Sequence, residues 1–110
     1  MLPKINRIKK KKDFDEIFKK GKISRGNSLI FKFKKNNLKE SRFAFVVSLK
    51  VSKSAVVRNK IRRRMSEIIR QNIKNITNGI DLVIVALPGF EKKDFLETKE
   101  IISNFIKKNV

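Results

Sequence analysis

The chain of 110 residues contains no cysteine and no histidine. The first absence excludes disulfides and thiolate metal sites, and the second removes the commonest general base and imidazole ligand. Zinc sites and Ser/His/Asp or Cys/His catalytic arrangements are therefore not expected. Acids are scarce too: ten carboxylates, scattered along the chain, are all that acid–base or two-metal chemistry could draw on. This argues against a self-sufficient enzyme. No uninterrupted apolar run reaches transmembrane length, and no basic start leads into an apolar stretch with a small-residue cleavage site. Neither a membrane span nor a secretory signal is expected, and the default compartment is the cytoplasm.

What is abundant is positive charge. Twenty-nine Lys and Arg give a formal net charge of +19, while hydrophobic residues still make up 40% of the chain and include nine Phe. That composition supports one domain over residues 1–110 with a modest core. An excess of this size makes the chain repel itself, and the natural compensation is a polyanion.

The charge is densest in SLKVSKSAVVRNKIRRRMSEIIR, residues 48–70. Lys50, Lys53, Arg58, Lys60, Arg62, Arg63 and Arg64 fall there, and no acid occurs between Ser48 and Ser66. Wound as a helix from about Ala55, the stretch puts Val57, Ile61, Met65, Ile68, Ile69 and Ile76 on one stripe. Asn59, Arg62, Arg63, Ser66 and Arg70 fall on the other side. The stripe wants a core, and the opposite face offers guanidinium forks to phosphates.

Before this stretch, residues 1–12 carry six positive charges and little helical pattern, as expected of a basic arm that is mobile in isolation. Asp13 with Glu16 three residues on predicts a capped helix that ends near Gly21, with Phe14, Ile17 and Phe18 on one face. Those two Phe suit a core position or a base-stacking platform at a cleft edge. A short strand or turn over 22–26 precedes an alternating strand over 28–34, where Leu29, Phe31 and Phe33 oppose Ile30, Lys32 and Lys34. KKNNLKE predicts a hairpin connection to RFAFVVSL, an antiparallel neighbour that is apolar on both faces and central in its sheet. The basic helix is expected to end near Asn78-Gly79. A buried strand follows in DLVIVAL, paired with the strand at 42–49 across a helical crossover. The last helix starts near Asp94 and buries Thr98, Ile101, Ile102, Phe105 and Ile106.

Composition alone fits a structural RNA-binding protein, such as a ribosomal protein, equally well. A protein-only nuclease would need Asp13, Asp15 and Glu16 to act on magnesium, although acids in a first helical turn already suit the helix dipole. A DNA-binding module lacks helix-turn-helix spacing around residues 55–78.

The run KVSKSAVVRNKIRRRMSEIIR resembles the signature of the bacterial ribonuclease P protein subunits: a basic loop, Ala-Val, Arg-Asn, a spacer and paired basic residues on one helix. NRIKKKKDFDEIFKKG is similar to that family's opening helix with its two Phe, and the likeness covers nearly the whole chain. The resemblance implies an α+β domain of αβββαβα order, with a mixed sheet packed against helices and a left-handed crossover against the usual rule. It implies a partner in the ribonuclease P catalytic RNA, which hydrolyses precursor tRNA at the mature 5′ end using magnesium held mainly by the RNA. No catalytic residue, metal ligand or further protein partner is implied for this chain. By similarity, Lys50, Lys53, Arg58, Asn59, Lys60, Arg62 and Arg63 contact the catalytic RNA. Phe14, Phe18 and Lys32 contact the 5′ leader. The chain departs from the family pattern at three points: Lys32 stands where many members have an aromatic residue, Ser66 replaces a basic residue, and Leu87-Pro88-Gly89 lacks the basic residue usual after the final strand.

Overall fold

A computed structural model of the chain describes residues 2–26, 28–76 and 79–109. The elements are α1 (Lys11–Lys20), β1 (Lys22–Gly26), β2 (Leu29–Lys35), β3 (Arg42–Val47), α2 (Ala55–Asn72), β4 (Ile80–Ala86) and α3 (Phe95–Asn109), with short 3-10 turns at Lys4–Asn6, Ile73–Asn75 and Phe90–Lys92. This is the αβββαβα order of an α+β domain. Among the described residues no helix is long and apolar enough to cross a membrane.

The strands form one sheet in the order β1-β2-β4-β3. β4 pairs with β2 antiparallel and with β3 parallel, so the sheet is mixed. This corrects the expected β2–β3 hairpin and the central place given to β3. β4 is buried at every position except the half-buried Val85, so it is the strand that most needs neighbours on both edges. The Asn36-Asn37 turn serves a different end from a hairpin. Asn36 N–H donates to the Gly79 carbonyl (3.1 Å) and its Nδ2 to the Asp81 carboxylate (2.9 Å), which pins the loop after β2 to the start of β4. A Cβ at Gly79 would collide with the Leu38 carbonyl oxygen, so only glycine allows that approach.

The outer edge of β3 is met by the N-terminal segment. Ile8 N–H donates to the Phe43 carbonyl (3.0 Å), Asn6 Nδ2 donates to the Ser41 carbonyl (2.8 Å), and Leu2 and Ile8 are buried. Leu2, Asn6 and Ile8 thus seat this segment against β3, while Lys9–Lys12 stay exposed. Met1 lies outside the described residues.

One face of the sheet carries the main core. Phe31, Phe43, Leu82 and Ile84 pack beneath Ile61, Met65, Ile68 and Ile69 of α2 and Ile102, Phe105 and Ile106 of α3. Phe31 stacks on Phe105 with ring centroids 4.1 Å apart, and Phe33 meets the same ring edge-on at 5.2 Å. The expected stripe of α2 needs two corrections. Val57, in the first turn, is 37% exposed because that turn projects beyond the core, and Ile76 is buried from beyond the end of the helix. α2 ends at Asn72, short of the expected Asn78-Gly79; Asn78 lies outside the described residues. α3 starts as its sequence predicts, with Asp94 Oδ1 accepting from Glu97 N–H (2.8 Å).

Among the described residues the other face is covered by α1 and by Ile8 of the N-terminal segment. Ile17, Ile8 and Val83 form a small second core with Phe14, Ala44 and Val85 at its margin. α1 begins at Lys11, two residues before the expected cap. Asp13 has another task there, which bears on the site described next.

Candidate nucleic-acid interface

The basic stretch is held as a unit by its own side chains. Ser54 Oγ accepts from Val57 N–H (3.3 Å), which caps α2. Arg58 Nη1 donates back to the Ser52 carbonyl (2.9 Å), so the loop that carries Lys50 and Lys53 is tied to the first turn. One turn on, Arg62 Nη1 donates to Asn59 Oδ1 (2.7 Å) and Nη2 to the Val47 carbonyl (3.4 Å). The sequence singled out Asn59 as part of a motif; its visible work is to orient Arg62. Lys50, Lys53, Asn59, Lys60 and Arg63 are exposed, and Arg58 and Arg62 are half-buried. Among the described residues none of these cations has a carboxylate within ion-pair distance. Six preoriented or free cations without local compensation make a surface of positive potential to which phosphates are the natural ligand.

Two members of the expected basic face do not serve it. Ser66 is buried at 4% exposure and looks into a cleft beside the N-terminal segment. Arg70 is paired with Glu67, whose carboxyl it holds below the usual range while its own pKa is raised. The free cations therefore concentrate in the N-terminal half of the helix and in the loop before it.

A second surface lies on the sheet face that α1 only partly covers. α1 crosses the strands, and three side chains mark its path. Asp13 meets Arg42 of β3 (3.2 Å), Glu16 meets Lys34 of β2 (3.4 Å), and the Phe18 ring lies 4.6 Å from Lys32 Nζ. Arg42 is the anchor: Nε and Nη2 grip both oxygens of the buried Asp81 (2.8 and 2.6 Å), and these bonds and charges raise its pKa. Asp13, Asp15 and Glu16 thus form no ligand set. Among the described residues no three carboxylates converge where a metal ion would sit.

The expected leader contacts are brought together, though not evenly. Phe18 is 43% exposed, and the Lys32 ammonium lies over its ring as a cation–π contact. Phe14 is half-buried and lines a cleft of about 280 Å³ with Arg7, Ile8, Ala44, Arg62 and Ser66. Phe14 of α1 and Arg62 of α2 both line this cleft, so the two predicted sets of contact residues adjoin. The strip beside α1 also contains groups that sequence reading did not single out. Ile23 is 50% exposed and lies opposite Lys32 in the sheet register, Arg25 lies opposite Ile30, and Val46 is 36% exposed beside Val85. The alternation within KISRG was the available signal for Ile23 and Arg25.

Comparison with known proteins agrees with this architecture. A protein-family model described as Ribonuclease P matches residues 2–109. The ribonuclease P protein component of Fusobacterium nucleatum is 44% identical over 99 residues, covering 88% of this chain and 87% of the relative. That of a Pseudanabaena species is 33% identical over 109 residues, covering 98% and 94%. Among solved structures, the ribonuclease P protein of Thermotoga maritima in complex with 1-(4-fluorophenyl)-2-thiourea superposes with a TM-score of 0.86 at 34% identity, over 94% of this chain and all of that one. With the match running from end to end of the described chain, sheet and basic helix included, this chain belongs to the ribonuclease P protein family.

Proposed function

We propose that this protein is the protein subunit of a ribonuclease P ribonucleoprotein, taking part in removal of the 5′ leader from precursor tRNA. The loop and N-terminal half of α2, through Lys50, Lys53, Arg58, Asn59, Lys60, Arg62 and Arg63, dock on the catalytic RNA. The strip beside α1, with Phe14, Phe18 and Lys32, holds the single-stranded leader. The observation that carries this reading is the cleft lined by both Phe14 and Arg62, which makes the two surfaces neighbours.

A leader and a catalytic RNA are both polyanions, and bringing them together costs electrostatic work that interposed cations offset. The side chains orient and neutralise; none is placed to activate a nucleophile. The donor set does not fit a magnesium ion held by the protein, because Asp13 and Glu16 are engaged by Arg42 and Lys34. Magnesium in this proposal sits chiefly on RNA phosphates, and the protein raises its effective affinity by relieving repulsion nearby. The working compartment is the cytoplasm.

The test is the rate of precursor-tRNA cleavage by a bacterial ribonuclease P RNA across a magnesium titration, with and without this protein. Rescue at low magnesium, with the cut at the mature 5′ end, is the expected result. Equal rates with and without the protein throughout would contradict the proposal, and RNA binding without rescue would favour a purely structural RNA-binding role.

A further inference from the structure

At the end of the sheet where β2 finishes and β4 begins, a pocket of about 380 Å³ opens between the C-terminal ends of α1 and α3. Its floor is Phe33 and Ile80, and its rim is Lys20, Lys22, Lys34 and Lys35. Asn109 closes one side, its Nδ2 donating to the Phe105 carbonyl (3.0 Å). Phe33 is half-buried; it touches Phe105 edge-on and also lines the pocket. Of these residues only Lys34 also borders the α1 surface, through Glu16, and all lie at the opposite end of the strands from Lys50 and Lys53, which follow the far end of β3.

Lysines at helix C-termini have an ordinary explanation, since each helix end carries roughly half a negative charge. Counting decides against it here. Two helix ends supply about one negative charge, and the single carboxylate in reach among the described residues is Glu16, at 3.9 Å from Lys20 and 3.4 Å from Lys34. Four lysines against that leave an excess of about two positive charges, by the same half-charge rule. Lys22 and Lys35 are exposed, and neither has an ion-pair partner among the described residues. A pocket with an aromatic and aliphatic floor and a cationic rim has the chemistry of a single-stranded nucleotide site: ribose or base on Phe33, phosphate on the lysines.

We infer that this pocket takes the 5′-distal part of the precursor leader, beyond the nucleotides held beside Phe14 and Phe18. Continuity favours the leader over the catalytic RNA. Lys34 follows Lys32 on the same face of β2, about 7 Å along the strand, and Glu16 links Lys34 to Lys20 at the end of α1. A strand leaving the Phe18–Lys32 contact therefore meets Lys34 and Lys20 next, and reaches Lys35 and Lys22, which share the face of Phe33, by rounding the end of the sheet. The inference rests on the leader reading of the α1 strip.

The experiment compares wild-type holoenzyme with a Lys22→Ala/Lys35→Ala variant, using precursors whose leaders either stop within the α1 strip or extend several nucleotides further. Binding is measured across a salt titration. For the long leader, the slope of log affinity against log salt is expected to fall by about 1.4, at roughly 0.7 per single-strand phosphate contact. The short leader should bind as before, and Lys22→Arg/Lys35→Arg should restore the slope. An equal loss with both leaders, together with weaker assembly on the catalytic RNA alone, would assign the pocket to that RNA and overturn the inference. No change with either leader would reduce the lysines to helix-end compensation and overturn it too. Failure of the proposed function itself would look different, because wild-type protein would then give no rescue of cleavage even with the short leader.

Discussion

The polar tie between α1 and β3 runs through one side chain, and Arg42→Ala measures it. The guanidinium makes two bonds to Asp81 (2.8 and 2.6 Å) and one to Asp13 (3.2 Å). The side chains of Arg42 and Asp81 are only 22% and 8% exposed. Truncation leaves Asp81 buried with Asn36 Nδ2 still donating at 2.9 Å, and removing one partner of a buried pair costs about 3–5 kcal/mol. The remaining exposure and the Asn36 bond place this case near about 3 kcal/mol, which for a domain of this size lowers the melting temperature by roughly 12–15 °C. Asp13→Ala breaks only the more exposed contact and is expected to cost about 0.5–1 kcal/mol. Thermal and urea unfolding of the two single variants and the double variant give the coupling. The functional consequence follows from position. With Arg42 gone, α1 loses its link to β3, so leader binding should weaken more than docking on the catalytic RNA. A loss under about 1 kcal/mol for Arg42→Ala would show the network to be solvated and its anchoring role wrong.

Arg58→Ala and Arg62→Ala are each expected to weaken assembly with the catalytic RNA and lower the salt slope by about one; an unchanged slope in a binding titration would mean those guanidinium groups do not reach phosphate. Asn59→Ala frees Arg62 without removing charge, so affinity should drop while the slope holds. Phe18→Ala removes a half-exposed ring and a cation–π contact worth about 0.5–1 kcal/mol, so leader affinity should fall with little change in unfolding temperature. Phe14→Ala should lose stability as well, approaching about 3 kcal/mol if the cleft does not collapse. Arg70 lowers the pKa of Glu67, so that pair contributes stability above the unfolded carboxyl pKa of about 4.3, lost as pH falls through the folded value. Glu67→Gln should therefore flatten the acid side of a plot of melting temperature against pH, and an unaltered profile would contradict the pairing.

The parts of the fold legible in the sequence are those set by local periodicity. Ile61, Met65, Ile68 and Ile69 recur at helical spacing, the β4 run is apolar after Asp81, and Asp94 with Glu97 marks the start of α3. The β3–β4 pairing across the α2 crossover was legible; the insertion of β4 between β2 and β3 was not, because adjacency depends on which strand must be covered on both edges, and Asn36-Asn37 fits a hairpin as well as it fits an anchor on Asp81. Asp13 looked like a helix cap since nothing local reveals a partner 29 residues away in Arg42. The N-terminal segment looked like a free arm because its charges outnumber Leu2, Asn6 and Ile8, the residues that dock it. At the site, the density of uncompensated cations picked out the α2 surface. The internal bonds that orient Arg58 and Arg62 involve backbone carbonyls, which no side-chain pattern encodes.

The central claim is that two adjoining faces of one domain hold two different RNA segments. Because the chain has no cysteine, a single introduced thiol can carry a tethered Fe(II)-EDTA at one known place. Lys53→Cys puts the probe in the loop before α2, and Ile23→Cys puts it at the β1 edge of the α1 strip. Mapping strand scission in the assembled complex with precursor tRNA should give cuts in the catalytic RNA from position 53 and cuts in the 5′ leader from position 23. Cuts confined to the catalytic RNA from both positions would contradict the account.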